Sequence, residues 1–117
     1  MAEEHIAKIL EIITDAFYAV DKDWNFTYVN KEAERLLGRN REELLGRNIW
    51  QEFPSARESE LYQYYTNAVS QDESAAFDIF YPIMQRWFHV RAYPSEEGLS
   101  VYFHDITESK RTKEELN

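Results

Sequence analysis

Apolar residues recur along this chain with two different periods. Ile6, Ile9, Leu10 and Ile13 are spaced as one stripe of a helix, which predicts a short amphipathic helix over residues 3–14. Further on, the apolar residues come in short runs. Runs at 17–20 and 26–29 flank the polar stretch Asp21-Lys22-Asp23-Trp24-Asn25 and predict a hairpin. Runs at 75–81, 87–93 and 99–104 predict three more strands. The segments between them, 82–86 and 94–98, are turn-like, so these strands are expected to pair as antiparallel neighbours.

The middle of the chain is punctuated by helix caps. Asn30 is a good N-cap for a helix over 31–37 that Gly38 closes. Asn40, with Glu43 three residues on, has the spacing of a capping box for a second short helix ended by Gly46. A loop carrying Trp50, Phe53 and Pro54 follows. Ser55 with Glu58 marks the start of a longer helix to about residue 70, with Leu61, Tyr64, Tyr65 and Ala68 on one face. Residues 71–74 break it, and the charged segment 108–117 predicts a closing helix. The predicted order is α-β-β-α-α-α-β-β-β-α, one α+β domain with a helix at each end. It divides into an N-terminal helix (1–15), a core (16–107) and the start of an outgoing helix (108–117).

The strands alternate poorly between apolar and polar residues. Trp87 adjoins Phe88, Tyr102 adjoins Phe103, and Phe80 adjoins Tyr81, so both faces of the sheet are expected to carry large apolar groups. The middle helices can cover one face. The stripe Ile6, Ile9, Leu10 and Ile13 is the candidate cover for the other, from the same chain or from a second copy. Burying one large side chain gains about 1.5–3 kcal/mol, and several left bare would make an adhesive patch. A homodimer through the N-terminal helix and the outer sheet face is therefore expected. A monomer that folds its own helix back is the alternative.

Composition narrows the function. Of 117 residues, 44% are hydrophobic and 15% aromatic, enough to build the core of one domain. There is no cysteine, which excludes disulfides, Cys-ligated metals, thiol nucleophiles and flavin–cysteinyl photochemistry. A net charge of −9 opposes nucleic-acid binding by phosphate neutralisation. No apolar run is long enough to span a membrane, and the acidic start Met1-Ala2-Glu3-Glu4 is no secretory leader. The expected location is the cytoplasm, without membrane contact by this segment. The acid pairs Glu42-Glu43 and Glu114-Glu115 point about 100° apart on a helix and do not converge on a substrate. No nucleophile elbow is present, and with 3 glycines no phosphate-cradling loop can be built. Neither catalysis nor a metal site is expected.

The step Asp105-Ile106-Thr107 follows the last predicted strand and precedes the closing helix. An acid-X-hydroxyl step at that place lets the last strand hand its position to whatever is fused behind it.

The chain resembles a PAS domain of the kind found in sensor histidine kinases. The resemblance covers about residues 6–112. Its carriers are Phe17-Tyr18-Ala19-Val20-Asp21, Phe26-Thr27-Tyr28-Val29-Asn30, Ala33-Glu34-Arg35-Leu36-Leu37-Gly38 and Leu44-Leu45-Gly46-Arg47-Asn48-Ile49-Trp50. To these are added Trp87-Phe88-His89-Val90-Arg91-Ala92-Tyr93-Pro94 and Tyr102-Phe103-His104-Asp105-Ile106-Thr107-Glu108. The resemblance implies a five-stranded antiparallel sheet flanked by short helices. It also implies a sensory or dimerising role inside a larger signalling protein, with a fused output domain such as a kinase. It makes Asp105 and Thr107 a signal junction, with Asp105 paired to Arg91, Arg86 or Lys22 and Thr107 capping the outgoing helix. The plainer alternative is that both residues merely cap that helix.

Heme-binding members of such a family ligate iron through a histidine on the long helix. Residues 55–70 contain none, and His5, His89 and His104 fall on the N-terminal helix and two strands, so heme is not expected. Non-covalent flavin remains open, with Trp87 and the strand aromatics as stacking surfaces. So does a small organic ligand between helices and sheet, lined by Leu61, Tyr65, Phe77, Ile79 and Val90, with tyrosine hydroxyls and His89 as polar contacts. The alternative is a filled core that serves dimerisation alone.

Overall fold

The computed structural model describes residues 15–116. Ile6, Ile9, Leu10 and Ile13, and the helix predicted over 3–14, lie outside the described residues. Five strands form one sheet: β1 (Ala16–Asp21), β2 (Phe26–Val29), β3 (Ala75–Tyr81), β4 (Arg86–Ser95) and β5 (Gly98–Asp105). Their order is β2-β1-β5-β4-β3, and every neighbouring pair is antiparallel. The last strand in sequence is therefore the central one, with Tyr18 of β1 opposite Val101 and Val90 of β4 opposite Phe103. Gly98 opens β5 at φ +149°, where an added Cβ would lie 2.0 Å from the Val20 carbonyl oxygen. Only glycine lets β5 come this close to β1.

Five helices join β2 to β3: α1 (Lys31–Leu37), α2 (Arg41–Leu44), α3 (Ile49–Glu52), α4 (Pro54–Arg57) and α5 (Glu60–Gln71). A sixth, α6 (Thr107–Leu116), follows β5 directly. Asn30 starts α1 as expected. Fully buried, its Oδ1 accepts both the Ala33 N–H of α1 and the Phe17 N–H of β1, each at 2.9 Å. One side chain thus sets the angle between the first helix and the sheet. Gly38 closes α1 in the left-handed conformation.

Three local expectations are corrected. Asn40 makes no side-chain cap to α2; the Glu34 carboxylate takes the Arg41 N–H at 2.9 Å instead, and also holds the Arg41 guanidinium. The loop around Trp50 and Phe53 is two single-turn helices. Asn48 caps the first, and Pro54 begins the second, where a missing N–H costs nothing. The long helix starts at Glu60 with Ser59 as its cap, and Ser55 spends its hydroxyl on the Tyr81 hydroxyl.

The helices between β2 and β3 pack on one face of the sheet. That face carries the core, with Tyr65, Phe26, Leu44, Leu99, Val29 and Val101 among its fully buried side chains. In β3 and β4 burial alternates residue by residue: Phe77, Ile79, Phe88, Val90 and Ala92 are buried, and their neighbours are not. The adjoining aromatics are therefore split between two faces. On the outer face Phe17 rests against Tyr102 at 4.7 Å and Tyr28 at 5.6 Å, and Phe80 and Tyr93 are exposed. Among the described residues, no helix is long and apolar enough to cross a membrane.

Candidate functional site: an apolar cavity and the exit of the last strand

A cavity of about 70 Å³ lies between the helices and the inner sheet face. Leu61 and Tyr65 reach it from α5, Ile79 from β3 and Val90 from β4. Phe77 does not line it. Its ring stacks on Tyr64 with centroids 3.9 Å apart and planes 8° off parallel, outside the cavity wall. The wall is otherwise built by residues that were not nominated for it from the sequence, including Tyr18, Phe26, Phe53, Met84 and Phe103.

Three phenols line this wall, Tyr18, Tyr65 and Tyr81, and the first two pair with each other. Tyr18 Oη and Tyr65 Oη are 2.6 Å apart, joining β1 to α5 across 47 residues of sequence. Burial pushes both phenols up from their ordinary value; for Tyr18 the Tyr65 hydroxyl adds to this, and for Tyr65 the shared hydrogen bond partly offsets it. Both stay protonated at neutral pH. His89 supplies no contact here. It lies on the outer face, with Nδ1 2.8 Å from Asp78 Oδ1. Trp87 is also turned to that face, beside Phe80 and under the Lys110 ammonium, 4.7 Å from its ring centre.

The second feature is the exit of β5. The Asp105 carboxylate is shared: Oδ1 accepts the Thr107 N–H at 2.8 Å, and Oδ2 holds Arg86 Nη1 at 3.0 Å. Arg86 is thus the partner among the three candidates, while Arg91 pairs with Asp15 at 2.9 Å. The cap expected of Thr107 is supplied by Asp105. Asp105 provides the side-chain acceptor at the start of α6, and Thr107 Oγ1 takes the Trp87 N–H of β4 at 2.9 Å. The Ile106 N–H adds a bond to the Trp87 carbonyl at 2.9 Å. Burial pushes the Asp105 carboxyl up, but the two hydrogen bonds from Thr107 and the Arg86 guanidinium outweigh it and hold it below the usual range.

One turn later, Lys110 Nζ lies 3.3 Å from Asp78 Oδ2. The His89 hydrogen bond and Lys110 together hold the Asp78 carboxyl below its ordinary value, against a smaller opposing effect of burial. The start of α6 is therefore fixed to β4 by backbone and side-chain bonds and to β3 by an ion pair. Among the described residues, no group of three or more His, Cys, Asp or Glu side chains could hold a metal ion.

Comparison with known proteins gives a consistent picture. The PAS fold family matches residues 10–111. The crystal structure of the histidine kinase ThkA in complex with the response regulator TrrA contains a region 29% identical to this chain, with a TM-score of 0.78. It covers 94% of this chain, which spans 34% of that one. The separate PAS domain of ThkA is 26% identical over 80% of this chain and all of its own length, with a TM-score of 0.67. A PAS domain from Colwellia psychrerythraea shares the fold at 19% identity and a TM-score of 0.75, over 92% of this chain and 99% of its own. No curated protein matches this sequence.

Proposed function

We propose, on the premise that this chain belongs to the PAS fold family, that it is a sensory and regulatory module of a signal-transduction protein, with a histidine kinase as its fused output. The domain is read as non-catalytic. A signal shifts the sheet between two packings, and the shift passes through Asp105 and Thr107 into α6 and onward. A bias of about 1–3 kcal/mol between the packings is enough for useful coupling. The observation that carries this reading is the exit of β5, where α6 is bonded to the neighbouring strand at its first residue. The likeness to the PAS region of the kinase ThkA supports the choice of output. The test is a fusion of residues 1–117 to a histidine kinase catalytic region. Asp105→Ala is expected to change the autophosphorylation rate while the domain stays folded; an unchanged rate contradicts the reading.

We further read the module as a homodimer, joined through the stripe Ile6, Ile9, Leu10 and Ile13 and the outer sheet face. The aromatic residues on that face support this, because Phe80 and Tyr93 are about two-fifths exposed there.

A second reading concerns the input. The cavity and its phenol pair favour a small ligand over a module that serves dimerisation alone. They favour a molecule smaller than a flavin, because about 70 Å³ is less than the about 150 Å³ that holds benzene. Native mass spectrometry of freshly purified protein separates these readings, since it reports dimer mass and any retained ligand together.

A further inference from the structure

The two edges of the sheet, β2 and β3, are treated differently. The β2 edge is closed at Phe26, whose N–H goes to the Arg47 carbonyl at 2.9 Å and whose carbonyl takes the Gly46 N–H at 2.8 Å. The β3 edge has no such cover. Its outward groups follow from Trp87 of β4, which spends its N–H on Thr107 Oγ1 and its carbonyl on the Ile106 N–H, both on the β5 side. Trp87 therefore has nothing left for Phe80, the β3 residue opposite it, and Phe80 points its own N–H and C=O away from β4. The β3–β4 register runs unbroken, so Asp78 and Ala76 do the same at alternate positions. No backbone or side-chain group among the described residues bonds to these outward groups.

Exposed edges are normally guarded by Lys, Pro, a bulge or a covering segment. Ala75–Tyr81 contains neither Lys nor Pro, and its register with β4 has no bulge. Its charged side chain, Asp78, is held by His89 and Lys110. We propose that β3 takes a partner as a sixth strand: an extended peptide segment antiparallel to it, β-branched or aromatic in its first residues and carrying Lys or Arg in its last. The N–H and C=O groups of Ala76, Asp78 and Phe80 supply the ladder, and antiparallel pairing is the more stable kind. Side chains set the partner's polarity. At the end of β3, Phe80 and Ile83 are exposed and apolar. At its start, Asp72 and Glu73 are exposed and pair with no cation among the described residues. Antiparallel pairing brings the partner's first residues beside Phe80 and its last beside the two acids. A second copy of this chain fits less well, since it carries the same charge of −9 and no cation in its own β3. Neither Asp105 nor Thr107 takes part, so the inference stands apart from the regulatory reading.

The test titrates a synthetic peptide, acetyl-Thr-Val-Thr-Val-Thr-Lys-Lys-amide, into the whole chain and follows backbone amide exchange by NMR. In the free chain the amides of Ala76, Asp78 and Phe80 should exchange quickly, and those of Phe77 and Ile79, which face β4, slowly. Saturating peptide should slow the first three at least about tenfold and leave the other two unaltered. Two controls isolate the backbone ladder: the same peptide N-methylated throughout, and Ala76→Pro, which deletes an outward N–H that the fold does not use. Neither should show protection. The peptide with Glu-Glu in place of Lys-Lys should bind at least about threefold more weakly. No protection by the first peptide, equal protection by its N-methylated form, or undiminished binding to folded Ala76→Pro overturns the edge as a docking site. Equal affinity for the Glu-Glu peptide overturns the basic partner. Slow exchange of Ala76, Asp78 and Phe80 in the free chain also overturns the proposal, and slowing that grows with protein concentration assigns the edge to a second copy instead. None of these outcomes bears on the kinase fusion.

Discussion

The hydroxyl of Thr107 accepts the backbone N–H of Trp87 at 2.9 Å, binding the first residue of α6 to a strand twenty positions earlier. Thr107→Val keeps the shape and removes the acceptor, leaving a half-buried N–H unpaired. The expected loss of stability is about 1–3 kcal/mol, measured by urea unfolding. Amide exchange at Trp87 should quicken while that at Val101 in the sheet centre stays slow. Unaltered exchange at Trp87 would show that the bond does not hold the helix.

Asp105 gives a dependence on pH whose sign is fixed. Its folded carboxyl lies below the ordinary value near 4. The stability it contributes is therefore fully present above the unfolded value and is lost as pH falls through the lower, folded one. Asp105→Asn should remove that part of the acid dependence. Unfolding free energies compared between pH 2 and 6 isolate it from Asp78 and Glu34, whose carboxyls are also held low. Parallel curves for the two proteins would contradict the assignment.

Gly98→Ala tests the approach of β5 to β1. The Cβ would meet the Val20 carbonyl oxygen at 2.0 Å, on a backbone already at φ +149°. The strained backbone alone costs about 1–3 kcal/mol, and the clash adds to it. The expected result is a loss greater than about 2 kcal/mol by urea unfolding; a near-neutral substitution would mean that the strand ends part easily.

The dimer reading is tested at the N-terminal stripe. Ile9→Asp with Ile13→Asp should abolish concentration-dependent association in sedimentation velocity while the far-ultraviolet circular dichroism of the core persists. Association that survives both charges would place the contact elsewhere.

The strands were legible because each is a short aromatic and β-branched run bounded by turns, from residues 17–20 through 99–104. Asn30 was legible as a cap, but its second bond to Phe17 was not, since a strand partner leaves no mark in local spacing. Capping-box spacing misled at Ser55 and Asn40 for one reason. The side chains that matter, Tyr81 for Ser55 and Glu34 for α2, arrive from other elements and take the bonds first. Likewise the choice of Arg86 over Arg91 for Asp105 needed the β4–β5 register, which pairs Phe88 with Asp105 and leaves Arg86 at the strand end. In the cavity, Leu61, Tyr65, Ile79 and Val90 could be nominated from amphipathic position. The Tyr18–Tyr65 pair could not, because its members are 47 residues apart and on different kinds of element.

The central claim is that the sheet and the outgoing helix act as one unit through the joint that Asp105 and Thr107 make together. A double-mutant cycle in the kinase fusion tests it most directly, with autophosphorylation rate measured for wild type, Asp105→Ala, Thr107→Val and the double variant. If both residues serve one link, each single change shifts the rate, and the double variant shifts it no further than the larger single one. Rates equal to wild type in all variants, or effects that simply add, would contradict the account.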